Sequence, residues 1–244
     1  MARTPRIASV VTTLPVAELT SGAEARGGRR SSGDLVADHI RRLIFEGTLR
    51  KGDHLRQDEI AGELGVSRIP VREAVIALDR EGWLMIEPHR GAFVHGLDEE
   101  AVRDHYEVCG LIYGLTARRA TERGSAPGVA DLVEAQRMLK AVDDDDPARF
   151  WKANNDFLRQ LLAMANSQRL ASFLRLTRNI VPGNFFEVVP GATANQKRGT
   201  AAIAKAVKAG DGLLAERECL TMMRHQGDAV VALLAGRHLF RPSA

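Results

Sequence analysis

Residues 64 to 83 read LGVSRIPVREAVIALDREGW, a stretch that places a Ser-Arg pair, a proline and a second arginine ahead of a regular apolar stripe. The stripe is Val71, Ala74, Val75 and Leu78. Spacings of three and four describe one buried face of a helix. Ser67 stands where an N-cap belongs, and Pro70 falls in the first turn, where a missing N–H costs nothing. Ser67, Arg68 and Arg72 therefore project from the helix start, off the buried face. An exposed helix N-terminus bearing arginines suits phosphate or a base edge.

The flanking segments extend the pattern. RQDEIAGEL, residues 56–64, predicts a shorter helix with Ile60, Ala61 and Leu64 on its apolar side. Gly65 takes the left-handed conformation that ends such a helix. Two short helices across a tight glycine turn make a helix-turn-helix, with the second helix as the reading element. Upstream, residues 33–49 predict a support helix through Leu35, Val36, Ile40, Leu43 and Ile44. Downstream, residues 82–96 predict two short strands, Trp83 to Ile86 and Ala92 to Val94, around a turn at Pro88 to Gly91. That hairpin is a wing with His89 and Arg90 at its tip. The order from residue 31 to 97 is thus support helix, turn, arginine-bearing helix and wing.

This stretch resembles the winged-helix domain of the GntR family of bacterial transcription regulators. The resemblance rests on LRQDEIAGELGVSRIPVREAVIALDREGWL followed by GAFV. It implies binding to double-stranded operator DNA. Arg68 and Arg72 would read base edges, Ser67 and Pro70 would shape the helix start that holds phosphate, and Arg42 and Arg56 would meet the backbone. His89, Arg90 and Gly91 would bring the wing close to it.

Composition sets the boundaries. A chain of 244 residues, 45% apolar and 27% charged, has room for two small globular domains. Cys109 and Cys219 lack metal-knuckle spacing, which fits a reducing cytoplasm. No apolar run approaches the roughly 18 residues of a membrane span. Residues 1–30 carry an apolar run broken by Pro15 and Glu18, so they read as a flexible arm rather than a secretion signal. Arg29 and Arg30 close that arm as a solvated linker or a phosphate contact. The formal charge is +3, yet residues 29–96 hold eleven basic and eleven acidic side chains. Attraction to DNA must then come from placement, with Arg41, Arg42, Arg50, Lys51, Arg56, Arg68, Arg72 and Arg90 on one side.

From residue 98 to 240 the pattern turns almost wholly helical. Apolar spacing predicts helices near 98–122, 128–142, 147–165, 167–181, 193–209 and 211–236, a bundle of six or seven. The fold class is mainly α: an N-terminal winged helix-turn-helix with a small β-hairpin wing, then an all-α bundle. Asp143 to Asp146 read as a solvated loop that also favours the next helix N-terminus.

The second domain resembles the FCD (FadR C-terminal domain) group of the same family, through DEEAVRDHYEVCGLIYGLTARRA, AIAKAVKAGD and MMRH. Many such domains hold a divalent metal through one Asp and three His. The resemblance aligns those positions on Asn154, Leu158, Thr200 and His225, leaving a single strong donor. Metal sites need three or four. An Arg and a Glu common in the first effector helix align on Cys109 and Tyr113. The resemblance then implies a less charged pocket lined by Cys109, Tyr113, Asn154, Leu158, Thr200 and His225, with Phe185 and Phe186 able to close over it. Such a pocket suits an uncharged or largely apolar small-molecule effector and no metal or other cofactor; filled in, it would leave the domain as a dimerisation module.

The expectation is a cytoplasmic, homodimeric, ligand-responsive regulator on a pseudo-palindromic site, neither membrane-bound nor an enzyme. Rival readings are a regulator controlled by a protein partner through the bundle, and an enzyme with a nucleic-acid-binding head. Against the enzyme stand the missing phosphate-cradling glycine loop and the scattered His54, His89, His95 and His105. The untagged protein should purify without a stoichiometric transition metal, and its Tm should not move with a chelator. One tightly bound metal per chain by elemental analysis would refute the donor argument.

Overall fold

In the computed structural model, residues 31–96, 98–176, 181, 184–237 and 239–240 are described. The arm of residues 1–30, with Arg29 and Arg30, lies outside them.

The first helix, α1 (Ser32–Phe45), starts at a capping box in which Ser31 and Asp34 satisfy each other's backbone N–H. It buries Val36, Ala37, Ile40, Ile44 and Phe45. A short strand β1 (His54–Leu55) precedes α2 (Gln57–Leu64) and α3 (Arg68–Arg80). Gly65 ends α2 at φ 62° and ψ 32°, and the Val66 N–H donates back to Ala61 O at 3.0 Å. The predicted stripe is buried as read: Val71, Ala74, Val75 and Leu78 face the core, packed chiefly on α1.

The wing follows as β2 (Leu84–Glu87) and β3 (Gly91–Val94). The sheet has the order β1-β3-β2, antiparallel throughout, with Leu55 opposite Ala92 and Met85 opposite Phe93. The sequence reading missed β1, since two residues carry no detectable alternation. It also placed Trp83 in a strand, where the structure buries Trp83 just before one.

The bundle comprises α4 (Glu99–Arg123), α5 (Ala126–Lys140), α6 (Pro147–Ala165), α7 (Gln168–Leu176), α8 (Phe185–Val188), α9 (Ala192–Lys208) and α10 (Gly212–Gly236). Asp98, Ser125, Asp146 and Asp211 cap α4, α5, α6 and α10 through side-chain oxygens. Asp146 thus has a structural task, as its position before Pro147 suggested. The two longest helices, α4 and α10, lie against each other at glycines. A Cβ on Gly114 would stand 2.9 Å from Glu216 O, and one on Gly110 would stand 3.1 Å from Leu220 Cα. Four residues are too few for a helical period, so α8 leaves no signal in the sequence.

The two parts meet where α1 ends. The Arg237 guanidinium lies 4.9 Å from the centroid of Phe45, and Leu239 packs at Gly47. A cleft of about 640 Å³ opens there, with Arg50 and Lys51 on its wall.

Arg41 corrects the charge map. It is 3% exposed and ion-paired to Asp38 at 2.6 Å and to Glu81 at 2.5 Å, which ties α1 to the end of α3. It is a bolt within the domain, unavailable to DNA. Removing one partner of a buried pair leaves the rest desolvated and uncompensated. Arg41→Ala should therefore cost roughly 3 kcal/mol of stability, whereas Arg42→Ala, on the half-buried neighbour, should stay within about 0.5 kcal/mol. Urea denaturation of both variants checks this, and equal midpoints would contradict the bolt.

Candidate nucleic-acid interface and bundle interior

Burying one side of α3 turns the other outward. Arg68, Ile69 and Arg72 are exposed, and Ser67 caps the helix by backbone position (φ −71°, ψ 169°) without a side-chain capping bond. Its hydroxyl is available for an external acceptor. Pro70 is half-buried in the first turn, as its missing N–H permits.

The arginines differ in state. Arg68 grips Asp58 of α2, with Nε 2.8 Å from Oδ1 and Nη2 3.1 Å from Oδ2. This fork is exposed on both sides, so it is weak and exchangeable. Arg72 has no ion pair with another described residue. Arg56 pairs with Glu59 at 2.9 Å.

At the wing tip, Pro88 precedes His89, whose φ is 61°. Proline followed by a positive φ is the pattern of a type II turn. Arg90 folds back onto Glu87, and its guanidinium lies 5.4 Å from the centroid of Phe93. Gly91 has φ 101°, and a Cβ there would fall 2.5 Å from His54 Nε2. His54, set by β1, stacks edge-on against Phe93 at 5.1 Å. The tip is therefore built from both ends of the domain.

Among the described residues, the fully buried polar side chains of the bundle carry no charge. Gln226 of α10 donates to Gln196 of α9, which donates to Asn154 of α6 at 2.6 Å. All three are buried. Asn195 donates to Met222 O at 3.1 Å, and the Thr200 hydroxyl donates to Gln196 O at 2.8 Å. Tyr106 is buried between Gly227 and Phe185, and its hydroxyl meets no hydrogen-bonding partner among the described residues. Burial, with Cys109 beside it, pushes the Tyr106 hydroxyl far up, and burial brings His105 down to about 4. Cys109 is buried, 3.6 Å from His105 Nε2 through its sulfur; Tyr113 and Leu158 are half-buried.

His225 departs from the expected lining. It is exposed on α10, and the next residue, Gln226, takes the interior position. A one-residue step rotates the helix by about 100°, which swaps inside for outside. The resemblance aligns His225 with an interior position, whereas helix phase turns it outward and places Gln196 and Gln226 inside. Their signal was the buried-face period of α9 and α10 itself. The expected metal donors do not fit a metal: Asn154 is engaged with Gln196, Thr200 with its own helix, Leu158 has no donor and His225 points away. Among the described residues no three His, Cys, Asp or Glu side chains converge on one centre.

A winged helix-turn-helix joined to an all-helical bundle defines the class. The family profile described as "Bacterial regulatory proteins, gntR family" matches residues 33–94, and that of the FCD domain matches residues 104–225. The chain belongs to the GntR family, with an FCD domain. It is 31% identical over 153 residues to an uncharacterised HTH-type transcriptional regulator of Mycobacterium tuberculosis, over 63% of this chain and 62% of that one. The match thus spans about three-fifths of that relative. A second such regulator, from Agrobacterium vitis, is 31% identical over 62% of this chain and 89% of its own length. Among solved structures, the Listeria monocytogenes regulator Lar superposes with a TM-score of 0.56 at 16% identity, over 83% of this chain and 98% of that one, a likeness of fold.

The Asp58 fork yields a direct test. Asp58→Asn removes a carboxylate from the outer face and frees Arg68. The variant should bind duplex DNA more tightly, with a salt dependence steeper by about one unit of slope. Unchanged affinity and slope would show that Arg68 does not meet the phosphate backbone or bases.

Proposed function

We propose that this chain is a sequence-specific transcription regulator that binds double-stranded DNA as a homodimer and responds to an uncharged small molecule held in its helical bundle. The observation that carries the DNA reading is the outer face of α3, where Ser67, Arg68 and Arg72 cluster exposed at a helix start. In a helix-turn-helix the N-terminal residues of this helix meet base edges, and an Arg fork matches guanine O6 and N7. Arg42, Arg56, His89, Arg90 and Gly91 flank it as backbone contacts, with Arg90 released from Glu87 on binding.

Two copies are required. One winged helix buries too little surface for selective binding, and two symmetric half-sites supply the rest. Exposed Val108 and Leu111 on α4 offer apolar surface for that pairing.

The effector reading rests on the amide ladder and the unsatisfied Tyr106 hydroxyl. Buried polar groups persist where partners satisfy them, and an orphan hydroxyl is a donor awaiting an acceptor. Among the described residues that interior fully buries no charged side chain, so an uncharged ligand carrying an oxygen acceptor fits it best. Asn154 and Thr200 contribute polarity, while Cys109, Tyr113 and Leu158 contribute apolar wall. His225 lies outside this lining.

Duplexes selected by the full-length protein from a random pool provide the test. Arg72→Ala should weaken specific binding by about 1–3 kcal/mol. Arg42→Ala should instead weaken specific and non-specific duplexes alike and flatten the salt dependence. Full affinity in Arg72→Ala, with its helicity intact, would remove the base-reading role. A thermal-shift panel should favour neutral over anionic small molecules. Stabilisation by simple carboxylates alone would contradict the uncharged interior.

A further inference from the structure

The most exposed large apolar side chain among the described residues is Ile69, at 70%. It lies directly between Arg68 and the half-buried Pro70, at the second position of α3. Positions 69, 72 and 76 fall on one side of a helix, the side away from Val71, Ala74, Val75 and Leu78. Ile69 and Arg72 therefore share the leading edge of the proposed reading helix.

Among the described residues, nothing accounts for an isoleucine there. It adds nothing to the core, and a β-branched residue at an exposed helix position is a poorer helix former than Ala, Arg or Glu. Its neighbour Arg68 is drawn sideways onto Asp58 of α2, which leaves Ile69 uncovered. An apolar side chain at that edge must find its complement outside. In the DNA major groove the apolar group is the 5-methyl of thymine; the other base edges present donors and acceptors that isoleucine cannot satisfy.

We propose that Ile69 is a specificity-determining residue that packs against thymine methyl groups in the major groove, beside the guanine contact of Arg72. The proposal rests on the duplex-binding reading and adds a chemical preference to it: thymine at the position under Ile69. Guanine, adenine or cytosine edges there would lose water and gain no hydrogen bond, so they are disfavoured.

Uracil is thymine without the methyl, so it isolates the contact. Duplexes recovered from a random pool by the full-length protein are resynthesised with deoxyuridine in place of every thymidine. The protein should bind the uracil form more weakly, by roughly fourfold for each methyl it buries. Ile69→Ala should bind the thymine form that much more weakly and lose the thymine-over-uracil ratio. The substitution favours the helix, so folding is preserved. Ile76→Ala, on the same side but about 10 Å further along the helix axis and 39% exposed, should retain the ratio in full. A ratio unchanged by Ile69→Ala would overturn the assignment and leave the duplex-binding reading standing. A loss of affinity that ignores the methyl would also overturn it, and would point to a protein contact through Ile69. Failure to recover any bound duplex would overturn both.

Discussion

The burial of one stripe on α3 governs the rest of this structure. Val71, Ala74, Val75 and Leu78 are withdrawn from solvent against α1, and each contributes on the order of 1–3 kcal/mol by its burial. Because a helix has a fixed period, seating those four side chains fixes the direction of every other. Ser67, Arg68, Ile69 and Arg72 are outward for that reason alone. Arg41 reinforces the phase by joining α1 to Glu81, the residue that closes α3. The wing is set by the same domain: Trp83 and Leu84 enter the core, and β1 supplies the His54 against which Gly91 closes.

The bundle follows a different logic. Glycines bring α4 and α10 to close backbone approach, which leaves little room for side chains between them. Polar groups are buried where α6, α9 and α10 converge, and they satisfy one another as amides rather than as ions. A charged group in that interior would need a counter-charge or a metal, and among the described residues no three His, Cys, Asp or Glu side chains converge to hold a metal. The joint between the two parts is narrow. Phe45 at the end of α1 meets Arg237 just after α10, so the last turn of the bundle touches the helix against which α3 is packed.

Much of this was legible in the sequence because its signals are local. The stripe of α3, the left-handed Gly65, the Pro88 turn and the capping residues each act over a few positions, and all appear where their chemistry places them. Helices α4, α6, α9 and α10 lie within one or two residues of their expected bounds. What could not be read depends on distant partners. Strand β1 exists only because β3 lies beside it, and Arg41 is buried only because Asp38 and Glu81 converge on it. The ladder Asn154–Gln196–Gln226 joins three helices, so the periods of α9 and α10 place its members inside but do not pair them. His225 shows the limit of resemblance: the motif located α10, but helix phase is fixed by packing, and it places Gln226 inside.

We propose that the outer face of α3 enters the major groove of two symmetric half-sites. Guanine N7 lies in that groove, and dimethyl sulfate reports its accessibility base by base. On a duplex selected by the protein, guanine N7 should be protected in two symmetry-related patches. Both should vanish in Arg72→Ala at concentrations where the variant still occupies the DNA. Full N7 reactivity across the bound duplex would show that no helix reads the major groove.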